Sequence, residues 1–401
     1  MTASNRDSHV RPLRLKDVSV SSLVAGFVAV LVGYTSSAVI IFQAVNNSGG
    51  GPEIVTSWFL ALGVGMGITT IGLTLRARSP VLTAWSTPGA ALLVSSIADF
   101  SYAEAIGAFL FSACLITLVG ITGWFERIMS RIPQAIASAM LAGVLLPFGL
   151  GVFQAMESAW VLVVAVFVLY LFAKRWLPRY AIPLVLVVGM VMARSMGLLS
   201  FESVQWQLAQ PVFTVPEWSL GAIVSIGVPL FMVTMASQNM PGVATIRASG
   251  YQTPISPTIT WTGIATLILA PFGAFALNLA AITAAICMSE EAHPDKSRRY
   301  VATLSAGFFY LLTGLLASTM AALFYAFPEA LVLAIAGLAL LATIGNSLEA
   351  ALREEPAREA ALITFLVTAS GVTLFSIGAA FWGLVAGLAA WYVRRIRLHT
   401  P

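Results

Sequence analysis

The sequence predicts an all-α polytopic membrane protein of about 14 transmembrane spans, arranged as a 7+7 inverted repeat. Three observations predict it. Of the 401 residues, 59% are hydrophobic and 9% are charged, whereas an ordinary soluble domain carries about 25% charged residues. Apolar runs of span length follow one another along the chain, and at about 20 residues each they would use roughly 280 residues, leaving no room for a soluble domain. Basic residues gather in alternate connections, as the positive-inside rule requires.

The elements follow in order. A polar tail, residues 1–19, precedes an apolar run at 20–45 that is too long for a signal-peptide core and reads as an uncleaved first span. Further spans fall near 54–75, 81–98, 103–124, 134–154, 157–174 and 180–197, completing a first repeat over 20–197. An external linker, 198–218, leads to a second repeat over 219–393, with spans near 219–246, 257–271, 273–289, 300–326, 329–348, 358–370 and 372–393. Residues 394–401 form a second tail. With both tails cytoplasmic, every one of the 21 Lys and Arg residues except Arg194 falls on the cytoplasmic side. Glu53, Asp99, Glu104, Glu157, Glu202, Glu217 and Glu329 fall outside. An odd number of spans per half places the halves in opposite orientations.

Two spans read as broken helices. In span 3, Pro80 disfavours helix before it, and Ser86 or Thr87 can cap a helix opening at Pro88 and Gly89. In span 10, the stretch from Pro271 to Ala281 repeats the pattern, with Asn278 as the expected cap ahead of Leu279 and Ala280. Two helix N-termini at mid-depth would attract an anion; the alternative is a pair of proline-kinked helices whose polar side chains satisfy themselves. A second polar cluster, Ser237-Gln238-Asn239 in span 8, is able to donate to a carboxylate or to tie helices together. The matching part of span 1 holds Tyr34 and Ser37, whose hydroxyls also bond readily to their own helix. The glycine-rich stretch Gly63, Gly65 and Gly67 in span 2 allows close helix packing and is assigned no ligand.

Cys114 and Cys287 lie inside apolar runs and suggest no disulfide framework, while His9, His293 and His399 lie outside the spans, so no metal or other cofactor is expected. No acidic or basic residue falls near the middle of a span. The proton-coupling candidate is therefore peripheral: Glu349, at the inner end of span 12, with a surface ion pair to Arg353 as the alternative. Without a phosphate-binding loop, catalytic dyad or continuous polar pore, a secondary transporter fits better than an ATP-driven pump, an enzyme or a channel. The high pI is explained by cytoplasmic loops and calls for no nucleic-acid partner; the lipid bilayer is the expected surrounding, and a homo-oligomer is left open.

Four segments carry a family resemblance: Leu23 to Val32, LTAWSTPGAAL from Leu82 to Leu92, Gly123-Trp124-Phe125-Glu126-Arg127, and SQNMPGVA from Ser237 to Ala244. The chain resembles the benzoate–proton symporter (BenE) family, itself distantly similar to the nucleobase–ascorbate and uracil transporters. The resemblance implies proton-coupled uptake of benzoate or a similar aromatic carboxylate across the bacterial inner membrane. It also implies a core domain (spans 1–4 and 8–11), a gate domain (spans 5–7 and 12–14), and a substrate between half-helices 3 and 10 beside span 8. Where the uracil transporters hold substrate with an acidic residue, this chain has Ser237 beside Gln238, which suits an anion. A nucleobase or inorganic anion is the alternative cargo.

Overall fold

The computed structural model describes residues 17–125, 133–178, 180–199, 208–290, 292–374 and 379–395. The tail before residue 17, Arg127, Arg131, Arg179, Glu202, most of the first part of the linker, and the C-terminal residues after Arg395 lie outside the described residues.

The protein is mostly helical. Helix α1 (Val20–Asn47) opens on Ser19, whose side chain accepts the Ser22 N–H, and α2 (Pro52–Ala77) opens with proline in its first turn, where no backbone donor is lost. A short strand, β1 (Thr83–Trp85), leads into α3 (Thr87–Ser96). Helix α4 (Tyr102–Thr122) starts with a reciprocal capping box between Ser101 and Glu104 and ends at Gly123 in the left-handed region. Then come α5 (Gln134–Trp176), α6 (Ala181–Ser195) and α7 (Leu220–Arg247). Helix α8 (Ile255–Leu269) is followed by strand β2 (Leu277–Leu279) and the short α9 (Ile282–Met288). The chain continues through α10 (Tyr300–Leu315), α11 (Ala317–Ala326), α12 (Glu329–Leu352), α13 (Arg358–Ala369) and α14 (Ala379–Arg395).

Among the described residues, seven helices are long and apolar enough to cross a membrane, or eight if α10 and α11, bent by 67°, form one crossing. At 43 residues, α5 would be about 65 Å long, twice a bilayer core of about 30 Å. Its helical geometry breaks at Ala159 (φ −148°, ψ 58°), close to where the sequence divides spans 5 and 6. The bend after α10 departs from the single run expected over 300–326. Thr313 Oγ1 donates to both Phe309 O and Tyr310 O, a back-bonding pattern that bends helices.

The helices pack in two groups. In one, α2 lies along α10, α4 along α8, and α1 against α3, α9 and α10; in the other, α5 lies along α12 and α13, and α13 along α14. The glycines of α2 allow close packing as expected, Gly63 and Gly67 against α10 and Gly65 against Leu277 and Leu269. Gly63 backs onto Gly314 so closely that a Cβ would lie 2.6 Å from the Gly314 Cα, and Gly67 backs onto the Gly307 carbonyl. Such contact maximises dispersion between helices where lipid supplies no hydrophobic drive.

Candidate functional site: a crossing of two strands and two half-helices

Strands β1 and β2 pair antiparallel, with Thr83 opposite Leu279, Ala84 opposite Asn278 and Trp85 opposite Leu277. Each strand is fixed by a threonine from the helix before it. The Thr70 hydroxyl accepts the Thr83 N–H at 3.1 Å, and the Thr266 hydroxyl accepts the Leu277 N–H at 3.1 Å. The Thr83 hydroxyl is itself bonded to Thr69, Thr70 and Met66 O, while Thr74 donates to Val81 O. Extended backbone inside an apolar bundle needs such partners, because no water or lipid group supplies them.

The far end of β1 is held by α1 and that of β2 by α7. Trp85 Nε1 donates to Ser37 Oγ at 2.7 Å, and Ser37 in turn donates to Gly33 O. On the other side, the Leu279 N–H donates to Asn239 Oδ1 at 3.0 Å, and Asn239 Nδ2 contacts Met235 Sδ at 3.2 Å. Asn239 lies in a π-helical turn, Met235–Asn239, packed against β2 on one side and α5 on the other. A proline at 241 in the following turn and this extra residue per turn reorient the cluster. Asn239 is thereby fully buried, while Ser237 and Gln238 are half-buried at the seam between the two helix groups.

Ser86 is the N-cap of α3, accepting the Gly89 N–H at 3.0 Å, with Thr87 the first helical residue and Pro88 the second. Thr87 is half-buried and is the one first-turn residue bearing an N–H that this cap does not use. Gly89 is buried, and a Cβ there would meet Leu230 of α7 at 2.7 Å as well as Ser86 itself. Its small size therefore serves contact with α7. Asn278 is not the cap of α9. It sits within β2, where pairing with Ala84 holds it three residues ahead of the helix; its Nδ2 donates to Ala276 O, and its buried Oδ1 has no partner. The N-cap of α9 is Ala281, which offers no side-chain bond. Leu279 and Ala280 are buried in the crossing, and the Ala280 N–H donates to Leu82 O.

Tyr34 stacks edge-on against Trp85, with ring centroids 4.7 Å apart. The structure thus brings Tyr34, Ser37, Ser86, Thr87, Gly89, Asn239, Asn278, Leu279 and Ala280 to one crossing, with Ser237 and Gln238 on the turn beside it. Glu349 stands apart: its carboxylate is 64% exposed and pairs with Arg353 at 2.5 Å, the surface arrangement that the four-residue spacing allows. Residues that the sequence did not single out are Thr70, Thr266 and Trp85. The signal for each was a hydrogen-bonding side chain in or facing an extended stretch. Among the described residues no group of His, Cys, Asp or Glu is placed to hold a metal ion.

Next to Tyr34, between α1, α6, α10 and α11, lies a cavity of about 250 Å³ with mainly aromatic and aliphatic walls.

The family model described as benzoate membrane transport protein (BenE) matches residues 16–393. The chain is 47% identical to the inner membrane protein YdcO of Escherichia coli (strain K12), over 95% of this chain and 97% of that protein. It is 40% identical to the benzoate membrane transport protein of Acinetobacter baylyi, over 94% of this chain and 96% of that one. Among solved structures, SLC26A9 superposes with a TM-score of 0.62 at 12% identity, covering 96% of this chain and 66% of that chain. The transmembrane domain of the cyanobacterial bicarbonate transporter BicA superposes with a TM-score of 0.54 at 12% identity, covering 94% and 98%. The fold is therefore that of these membrane transporters, and on sequence the chain belongs to the BenE family of benzoate membrane transport proteins.

Proposed function

We propose that the protein is a secondary active transporter that takes up benzoate or a similar aromatic carboxylate with a proton across the bacterial inner membrane. The observation that carries this reading is the polar crossing in an otherwise apolar bundle, with the half-buried side chains of Ser237 and Gln238 making no hydrogen bond among the described residues at the seam between two helix groups. An amide at that depth is costly unless it meets a ligand or water. Gln238 is a neutral donor, which an anion tolerates and an acidic residue would repel. Thr87 and the dipole of α3 add a second partner for the carboxylate.

On this reading the chain forms 14 spans as two inverted repeats, 20–197 and 219–393, with both termini cytoplasmic and 198–218 external. The threonine that fixes each strand and the first helix that holds its far end occupy corresponding places in the two halves, which supports the repeat. The group containing α5, α6 and α12 to α14 acts as gate and the remainder as core. A carboxylic acid with a pKa near ~4 is ionised at pH 7, so accumulation against a negative-inside potential requires a proton. Glu349, exposed and paired, is a weaker carrier than the substrate itself.

Purified protein in liposomes tests this. Benzoate should drive proton uptake, while uracil, bicarbonate and sulfate should not. Proton movement with one of those three and none with a panel of aromatic acids would reject the aromatic reading.

A further inference from the structure

We propose that the chamber between α1, α6, α10 and α11 binds an uncharged single-ring aromatic molecule, held by its ring and by one hydrogen bond to Tyr34 Oη. Phe27, Phe309, Phe324, Phe327 and Met320 line it together with Tyr34. These are the faces and edges that aromatic rings pack against, and the thioether adds a favourable sulfur–ring contact. The volume of about 250 Å³ is ample, since an apolar cavity of roughly 150 Å³ accepts benzene.

The polar atoms of the chamber set the ligand's charge. Thr35 Oγ1 donates to Leu31 O at 2.8 Å, and Thr313 Oγ1 donates to Phe309 O and Tyr310 O at 3.0 Å. Both hydroxyl protons are thus spent on their own helices. Tyr34 Oη is buried beside Thr313, yet no hydrogen bond of good geometry reaches it. A buried hydroxyl without a partner is unfavourable, and a ligand that completes it gains that hydrogen bond. No ionisable side chain other than this phenol lines the chamber. A carboxylate would lose its hydration there with no positive charge in return, whereas a neutral carboxylic acid, amide or alcohol loses far less and offers Tyr34 its partner.

Resting on the transport reading above, the consequence concerns the proton. An aromatic carboxylate that takes one proton on the side it comes from becomes the uncharged acid that this chamber accepts, and gives up that proton on the far side. Coupling then needs no carboxylate on the protein.

Benzamide, an uncharged ring with one hydrogen-bonding group, is the probe, titrated calorimetrically into the purified full-length protein at pH 6 and pH 8. Binding should be equal at both pH values. It should weaken by about 2- to 12-fold in Tyr34→Phe, the effect of one neutral hydrogen bond, and be lost in Leu31→Phe, which fills the chamber. Tyr34→Phe keeps the ring against Trp85, so it reports even if the filled variant does not fold. Absence of benzamide binding, including exclusion by a seated acyl chain, or wild-type affinity in Tyr34→Phe overturns the proposal. Failure of the transport reading would show differently, as loss of benzoate-driven proton flux with benzamide binding intact.

Discussion

In the first half of the crossing, Thr70 fixes the start of β1, the Trp85 indole reaches Ser37 of α1, and Ser86 caps α3. In the second half, Thr266 fixes the start of β2, the Leu279 backbone reaches Asn239 of α7, and α9 begins at Ala281 with no side-chain cap. The positions correspond and the chemistry does not. The first half is finished by side chains, two of them its own. The second leaves a backbone N–H to be satisfied from α7 and keeps an unpartnered Asn278 Oδ1. An extended crossing inside an apolar bundle can thus be satisfied in two ways. The second way makes α7 a structural part of the crossing, because the residue that props β2 adjoins Gln238, the residue proposed to meet the substrate.

Asn239→Leu should break this comparison most severely. It leaves the buried Leu279 N–H without an acceptor, a loss of about 1–3 kcal/mol, read as earlier unfolding in mixed detergent micelles and as weakened transport. Ser86→Ala removes a local cap and should cost about 1 kcal/mol by the same measurement. Ala281→Ser sharpens the contrast with the smallest effect. Ala281 has helical dihedrals (φ −111°, ψ −66°), whereas capping requires extended ones, so stability should move by less than about 0.5 kcal/mol. A gain equal to the loss in Ser86→Ala would mean that the two half-helices begin alike.

The cap at Ser86 was legible in the sequence because it is local: serine, then proline, then small residues, all within one turn. Asn278 misled for the reason Ser86 did not. Its position relative to α9 depends on pairing with Ala84, far away in the chain, which keeps Asn278 inside β2 so that the helix starts only at Ile282. Asn239 and Gln238 looked equivalent as neighbouring amides. The π turn and the approach of β2 separate them, one fully buried on Leu279 and the other half-buried at the seam. Close packing at the glycines of α2 was readable from composition, and the Glu349–Arg353 pair, the alternative reading of Glu349, from its four-residue spacing. The chamber beside Tyr34 was not readable, because helices from three separate parts of the chain build it and most of their side chains read as ordinary apolar lining.

The central claim is that the turn beside the crossing holds the substrate carboxylate, and Gln238 tests it most directly because, among the described residues, its side chain makes no hydrogen bond that its loss would break. Benzoate binding to purified Gln238→Ala, with melting behaviour unchanged from wild type, should be weaker by about 10- to 150-fold, the effect of a lost charge-assisted hydrogen bond of roughly 1.5–3 kcal/mol. Unchanged benzoate affinity in that folded variant would contradict the account.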